Sequence, residues 1–204
     1  MAGSDGVPGR LVRLWSALAR ELNLPGEDGR RLARLTWRLL AGGALSYEDA
    51  SAIAGDDLLL LAHDMGLIVP SRPGARCMEW DASPLAPGTK LELNPAAGAA
   101  FRALMAGGDV LEGLASLLSE LGLGGHLSLR VAEVALELSA KRVVSGSEVA
   151  SACRSHGLAG LESQAIAILK AAGVLSPILS VSWPSGDVRY RTCYILSLLT
   201  RAVL

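Results

Sequence analysis

The sequence is poor in cysteine, histidine and long apolar runs, and each shortage excludes a class of protein. Its three cysteines, Cys77, Cys153 and Cys193, are odd in number and far apart, so we expect reduced, buried thiols rather than a disulfide framework. No apolar run approaches the roughly 20 residues that span a bilayer. Residues 1–9 also lack the apolar segment of a signal peptide. We therefore expect a cytoplasmic protein.

Signatures of catalysis and of metal binding are also scarce. The chain has neither a GxxxxGK(S/T) phosphate loop nor a GxSxG nucleophile motif, and its glycine-rich stretch 122–125 follows a predicted helix rather than a strand. Cys153 and His156 are three residues apart, but no second ligand pair lies nearby to complete a tetrahedral metal site. Helix capping explains the pair Asp56 and Asp57 more simply than acid–base catalysis does. We predict no enzymatic activity, no cofactor and no metal.

Amide side chains are rare, with one glutamine (Gln164) and two asparagines (Asn23 and Asn94), and lysine occurs only three times. A scarcity of thermolabile amides is typical of a thermophile. A GC-rich genome explains the same scarcity equally well, together with the preference for arginine over lysine.

The residues that are abundant favour helices. Hydrophobic residues make up 50% of the chain and aromatic residues only 4%, so we expect packed cores with more helix than strand. Ser46, followed by Asp49, predicts a helix cap, and Ser128 predicts another. Apolar periodicity predicts helices at about residues 8–22, 27–40, 47–54, 58–65, 96–105, 110–121, 128–140, 161–172 and 198–204, with a further short helix after Ser147.

Residues 143–197 place two helices before a β-hairpin with predicted strands at 178–183 and 188–195. Helix, helix and hairpin in this order resemble the winged-helix variant of the helix-turn-helix superfamily. The stretch 45–93 has the same order and leads into Asn94-Pro95 and a helix, a frequent ending of winged-helix domains. The resemblance implies an α+β, mostly α, fold with two winged-helix units in tandem and extra packing helices.

Short sequence matches also indicate a repeat. Residues 48–52 match residues 148–152 at an offset of 100, and Gly66-Leu67 matches Gly173-Val174 at an offset of 107, so we expect seven extra residues near 155–160. The predicted organisation is as follows: N-terminal helices at 1–43, a first winged-helix unit at 44–106, a connecting helix and linker at 107–125, and a second winged-helix unit at 126–204.

In winged helices, the second helix of the motif enters the major groove of double-stranded DNA and the wing touches phosphates. The resemblance therefore implies that residues 161–172 read DNA. The core side of this helix is expected to hold Leu161, Ala165, Ile168 and Ala172. The candidate DNA contacts on its outer side and on the wing are Ser163, Gln164, Lys170, Arg189 and Arg191. An ordinary solvated helix and hairpin would carry the same residues.

A row of arginines on the second predicted helix is another candidate contact for nucleic acid. Arg30, Arg34 and Arg38 are spaced by four residues, which stacks them on one helix face. Residues 43–125 carry eleven acidic and four basic side chains, so the alternative is that the arginines pair with acids within the fold. A charged helix face is also commonly just solvated.

The first unit departs from the DNA-binding pattern, because its second helix, DDLLLLAHDMG, begins with two aspartates that repel phosphate. Helical spacing puts Leu58, Leu61 and Met65 on one face. This leaves Leu59 and Leu60 as candidates for a protein contact, with the other unit or with another chain. The alternative is burial against the helices of residues 10–40.

Two tryptophans, Trp80 and Trp183, fall late in the first strand of the two predicted hairpins. We expect both to pack the hairpin onto its unit rather than to stack on bases.

The leading hypothesis is a DNA-binding protein, such as a transcription regulator, that uses its second unit on double-stranded DNA and its first unit on protein. The alternative is a tandem winged-helix scaffold subunit that binds proteins and makes no direct DNA contact. A third class, a regulator that senses a small molecule, also stays open, because a ligand pocket is not readable from sequence.

Overall fold

The computed structural model of the chain describes residues 6–71, 80, 85–178 and 187–203. Within these ranges it contains ten helices and two three-stranded antiparallel sheets, which confirms the α+β, mostly α, class. The helices are α1 (Gly9–Glu21), α2 (Gly26–Gly42), α3 (Tyr47–Ala54), α4 (Asp56–Asp64), α5 (Pro95–Ala106), α6 (Val110–Glu120), α7 (Gly125–Ser139), α8 (Gly146–Ser155), α9 (Glu162–Ala171) and α10 (Ile195–Val203). The strands are β1 (Ala44–Ser46), β2 (Ile68–Pro70), β3 (Lys90–Leu93), β4 (Val143–Ser145), β5 (Leu175–Pro177) and β6 (Arg189–Thr192).

Local hydrogen bonds explain where several helices begin. Ser46 Oγ accepts the backbone N–H of Asp49 at 3.1 Å, as predicted, and starts α3. A reciprocal capping box between Ser145 and Glu148 starts α8 before Ser147, earlier than predicted. The predicted cap at Ser128 is wrong, because α7 already begins at Gly125 and the Ser128 hydroxyl donates to the Gly125 carbonyl at 2.8 Å.

In each sheet the strand that comes last in the chain is central, in the orders β1–β3–β2 and β4–β6–β5. The short strands β1 and β4 were not predicted; each pairs with a strand more than 40 residues further along the chain. The strand β5 also lies before the predicted range 178–183, of which residues 179–183 are outside the described residues. The helix–helix–hairpin order is nonetheless found twice.

The two units correspond at fixed offsets. Ala44 of β1 corresponds to Val143 of β4 at an offset of 99, and the same offset relates Lys90 to Arg189 in the central strands. From α4 to β2 the offset is 107, since Ile68 and Leu175 occupy the same register position. The second unit therefore has eight extra residues between its first two helices after β4, and eight fewer in its hairpin loop.

This correspondence corrects the predicted repeat. The match of 48–52 with 148–152 is displaced by one residue from the structural equivalence, and the extra segment has eight residues rather than seven. Burial agrees with the offset of 99, because Ala50 and its equivalent Val149 are both fully buried. By the same offset α2 corresponds to α7, so residues 26–43 belong to the first unit in structural terms.

The two units are joined by equivalent backbone hydrogen bonds that run in opposite directions. At the start of α10, Ile195 N–H donates to the Met65 carbonyl at 2.9 Å, and at the start of α5, Ala96 N–H donates to the Ala172 carbonyl at 3.0 Å. Ala96 is equivalent to Ile195, and Met65 to Ala172. Each unit thus presents the same two sites to the other, which is the pattern of a twofold-symmetric interface.

A second reciprocal pair lies beside the first, with donors two residues earlier and acceptors one residue later in the chain. The Asn94 side-chain amide donates to the Gly173 carbonyl at 2.8 Å, and at the equivalent place the Cys193 thiol donates to the Gly66 carbonyl at 3.2 Å. Both glycines have positive φ, 75° and 72°. A Cβ on Gly173 would lie 2.6 Å from Asn94 Oδ1, and one on Gly66 would lie 3.0 Å from Cys193 Cα. The interface therefore depends on glycine at both positions.

One continuous hydrophobic core extends through both units. The helix α6 packs against α5 and also against α7, which follows it after the glycine-rich stretch 122–125. The helix α1 packs on α2 and α10. Its Trp15 stacks on Phe101 of α5 and donates from Nε1 to Thr36 Oγ1 of α2 at 3.0 Å. These contacts hold the units in one fixed arrangement.

Candidate interaction surfaces

The outer face of α9 matches the prediction closely. Ser163, Gln164 and Ala167 are exposed and Lys170 is partly buried. The predicted core side was only half right, because Leu161 is 37% exposed and Leu169, rather than Ile168, is fully buried. Leu161 precedes the first turn of the helix, so helical periodicity does not govern its direction.

The equivalent face of α4 is apolar and acidic. Asp56, Asp57 and Leu60 are exposed at the positions of Ser163, Gln164 and Ala167, and His63 takes the place of Lys170. Leu60 is 58% exposed, the most exposed of the large hydrophobic side chains in the described residues. The predicted contact of Leu59 with another chain is wrong, because Leu59 is 0% exposed; the alternative of burial within the chain holds for it. A core shared by two units buries more of this helix than a small three-helix core would.

The negative charge at the start of α4 is fixed by neighbouring hydroxyls. Ser51 Oγ donates to Asp56 at 2.6 Å and Tyr47 Oη donates to it at 2.9 Å. These hydrogen bonds, that of Ser51 first, hold the pKa of the Asp56 carboxyl below its usual value. Neither aspartate caps the helix, contrary to prediction: the cap position is Gly55, and both acids lie in the first turn, where the helix dipole favours them.

The two wing arginines lie in different surroundings. Arg189 is exposed on β6, whereas Arg191 is partly buried and donates to the carboxylate of Asp64 in the first unit. Arg142 donates to the other oxygen of Asp64 and lies 4.9 Å from the centre of the Tyr194 ring. The guanidinium of Arg191 thus joins the two units, and its contact with DNA stays a prediction. Sequence gave no signal for this cluster, because Asp64 is more than 70 residues from either arginine.

The arginine row of α2 pairs mostly within its own helix. Glu27, in the first turn, lies 3.5 Å from Arg30 and 3.4 Å from Arg34. These side chains are 40–68% exposed, and such surface pairs contribute about 0–1 kcal/mol each. The alternative of pairing with acids was right in kind, but Glu27 lies outside the acidic segment 43–125. Arg38, one turn further on, is exposed.

A groove of about 500 Å³ runs beside this row, between α2 and α3. Apolar and cationic side chains both line it. The residues that line it are Val7, Arg34, Trp37, Arg38, Ala52 and Ile53.

The pair Cys153 and His156 does not bind a metal in this arrangement. Cys153 is buried, which raises the pKa of its thiol, and both ring nitrogens of His156 face carboxylates instead. Nδ1 lies 3.3 Å from Glu133 and Nε2 lies 2.9 Å from Glu137. In the part of the chain that the structure describes, no group of three potential metal ligands occurs.

The prediction that Trp80 packs onto its unit is confirmed. Trp80 is 2% exposed, its ring meets the His63 ring edge-on at 5.8 Å, and its carbonyl lies 3.0 Å from His63 Nε2. Trp183 lies outside the described residues.

None of the helices in the described ranges is long and apolar enough to cross a membrane. Compared with protein-family models, with curated proteins and with solved structures, the chain matches none.

Proposed function

We infer that this protein is a protein-interaction subunit, a cytoplasmic scaffold whose two winged-helix-like units form one rigid body. The observation that carries this proposal is the composition of the outer faces of α4 and α9. Their eight equivalent outward positions hold two aspartates and an exposed leucine on α4, and only one lysine on α9. DNA binding draws most of its affinity from cations near phosphates, and these faces offer few.

The first unit supplies the proposed contact surface. Leu60 projects from α4 beside two acidic residues, Asp56 and Asp57, so a partner that buries the leucine would gain apolar contact and meet negative charge at its edge.

Affinity capture from cells of the source organism tests this proposal when two variants are compared. Leu60→Asp should lose a partner that the wild-type protein retains. Leu129→Asp is the matched control, because Leu129 is 39% exposed on α7. Identical capture by all three proteins would contradict the proposal.

Double-stranded DNA is the second candidate partner, and the exposure of Ser163 and Gln164 beside Lys170 on α9 favours it. Fluorescence anisotropy with a labelled 24-base-pair duplex at 20 and 200 mM salt distinguishes the two functions. A scaffold should show no salt-dependent association. Submicromolar binding that Gln164→Ala and Lys170→Ala weaken would replace the scaffold proposal with DNA binding.

A further inference from the structure

Two charged positions on the outer side of α2 have equivalents of opposite sign on α7. The offset of 99 that aligns the strands also aligns these helices, whose first residues are Gly26 and Gly125. It places the buried Leu32 and Leu39 on the buried Val131 and Leu138. The same offset places Arg34 and Arg38 on Glu133 and Glu137. Each pair is one helical turn apart and therefore shares a face.

In the second unit, this pair is covered by the chain itself. His156 reaches over α7, with Nδ1 3.3 Å from Glu133 and Nε2 2.9 Å from Glu137. It comes from the eight extra residues between α8 and α9, which have no counterpart in the first unit. A side chain from the extra segment thus lies within hydrogen-bond distance of both carboxylates at the equivalent site.

The first unit has no such segment. Its helices α3 and α4 are joined by the single residue Gly55, too short to extend over α2. The groove of about 500 Å³ lies at this place. Its lining includes Arg34 and Arg38 together with the apolar side chains of Trp37 and Ile53. Arg34 keeps its contact with Glu27 at 3.4 Å and is still 40% exposed. Arg38 is the more exposed of the two.

We propose that the groove between α2 and α3 binds an acidic segment of a partner protein. A carboxylate of that segment lies against Arg38 and Arg34, where the second unit has its own His156 against two glutamates, and an apolar side chain lies on Trp37 and Ile53. The apolar residues that line the groove suit a peptide better than a phosphate backbone.

This proposal rests on the proposed scaffold function for its class of partner, but it uses a different surface from Leu60. The probe is a fluorescein-labelled dodecapeptide in which aspartate and glutamate alternate with leucine and phenylalanine, titrated with the full chain. We expect saturable binding that weakens with salt. Arg38→Glu should raise the Kd about tenfold or more, and Arg38→Lys should change it about threefold or less.

Arg20→Glu is the matched control for charge, because Arg20 is exposed on α1 near the opposite end of α2, and it should change the Kd less than about twofold. The double variant Arg34→Glu/Arg38→Glu gives these two positions of α2 the charge of Glu133 and Glu137 on α7. It should lose the acidic probe and bind a probe in which lysine replaces every acid.

Two results would overturn the proposal: equal Kd values for the Arg38→Glu and Arg20→Glu variants, or displacement of the probe by duplex DNA in an Arg38-dependent manner. Leu60→Asp should leave probe binding unchanged. The peptide titration and the capture experiment therefore fail independently, and failure of one does not decide the other.

Discussion

The interface between the two units should be most sensitive to a single substitution at Gly173. In Gly173→Ala the new Cβ would lie 2.6 Å from Asn94 Oδ1, closer than any van der Waals contact allows. Asn94 is fully buried and has no route to the solvent. If it moves, it gives up its bond to the Gly173 carbonyl and its cap on Ala96 N–H, which are 2.8 and 3.0 Å long.

The expected loss in free energy of unfolding has two parts, and a control variant separates them. Alanine at positive φ costs about 1–2 kcal/mol. Loss of the two buried hydrogen bonds adds about 2–3 kcal/mol, so the total is about 3–5 kcal/mol. Gly157 has nearly the same φ, 76° against 75°, and nothing lies within 4 Å of its would-be Cβ. Gly157→Ala should therefore show only the backbone part.

Thermal unfolding followed by circular dichroism measures the difference. At about 2–4 °C per kcal/mol for a chain of this size, Gly173→Ala should lower Tm by about 12 °C and Gly157→Ala by about 4 °C. Gly66→Ala should resemble Gly173→Ala, because its Cβ would meet backbone, Cys193 Cα at 3.0 Å. Equal shifts for Gly173→Ala and Gly157→Ala would refute the tight reciprocal interface and leave only a backbone requirement.

Two further predictions concern charge. Asp64→Asn weakens the contacts with Arg142 and Arg191 and should lower the free energy of unfolding, measured in urea, by about 1–2 kcal/mol. The loss should be smaller in high salt, because these side chains are 31–53% exposed. An unchanged free energy of unfolding would mean that the ion pairs are solvated. Glu148 accepts hydrogen bonds, of which that from the Lys141 ammonium has the largest effect, and its pKa is lowered from 4.5 to about 2. The ionised carboxylate therefore stabilises the fold above about pH 4.5, and this stability is lost as the pH falls towards 2. Glu148→Gln should remove about 1 kcal/mol of that acid-dependent stability, discounted for a side chain 44% exposed, and a wild-type-like urea midpoint profile between pH 2 and 4.5 would contradict it.

Much of the helical framework was readable from sequence because its signals are local. The spacing of Ser46 and Asp49 predicted α3 with its observed bounds, 47–54, and the outward positions of α9 followed from helical periodicity. The strands β1 and β4 were not predictable in this way. Each has three residues and is held only by its pairing with a central strand far along the chain.

The candidate surfaces were less predictable, because their outcome depends on partners distant in sequence. Arg189 and Arg191 are of the same type and lie two residues apart on β6. Arg191 nevertheless donates to Asp64, which lies 127 residues away, and this contact could not be read from the local sequence. Leu59 and Leu60 are neighbours with the same side chain, yet one is 0% and the other 58% exposed. No local pattern distinguishes the members of either pair.

The equivalence of the two units separates what holds the fold together from what serves other molecules. The reciprocal backbone bonds at Ala96 and Ile195 are alike in both units, because any asymmetry there would open the joint between them. The outer helix faces are under no such constraint, and they have diverged to opposite charge at Arg38 and its equivalent Glu137. In the second unit, His156 Nε2 lies 2.9 Å from Glu137, so the chain itself covers the site. In the first unit the charge is left beside an open groove, and this difference makes the first unit the place where a partner's recognition should be sought.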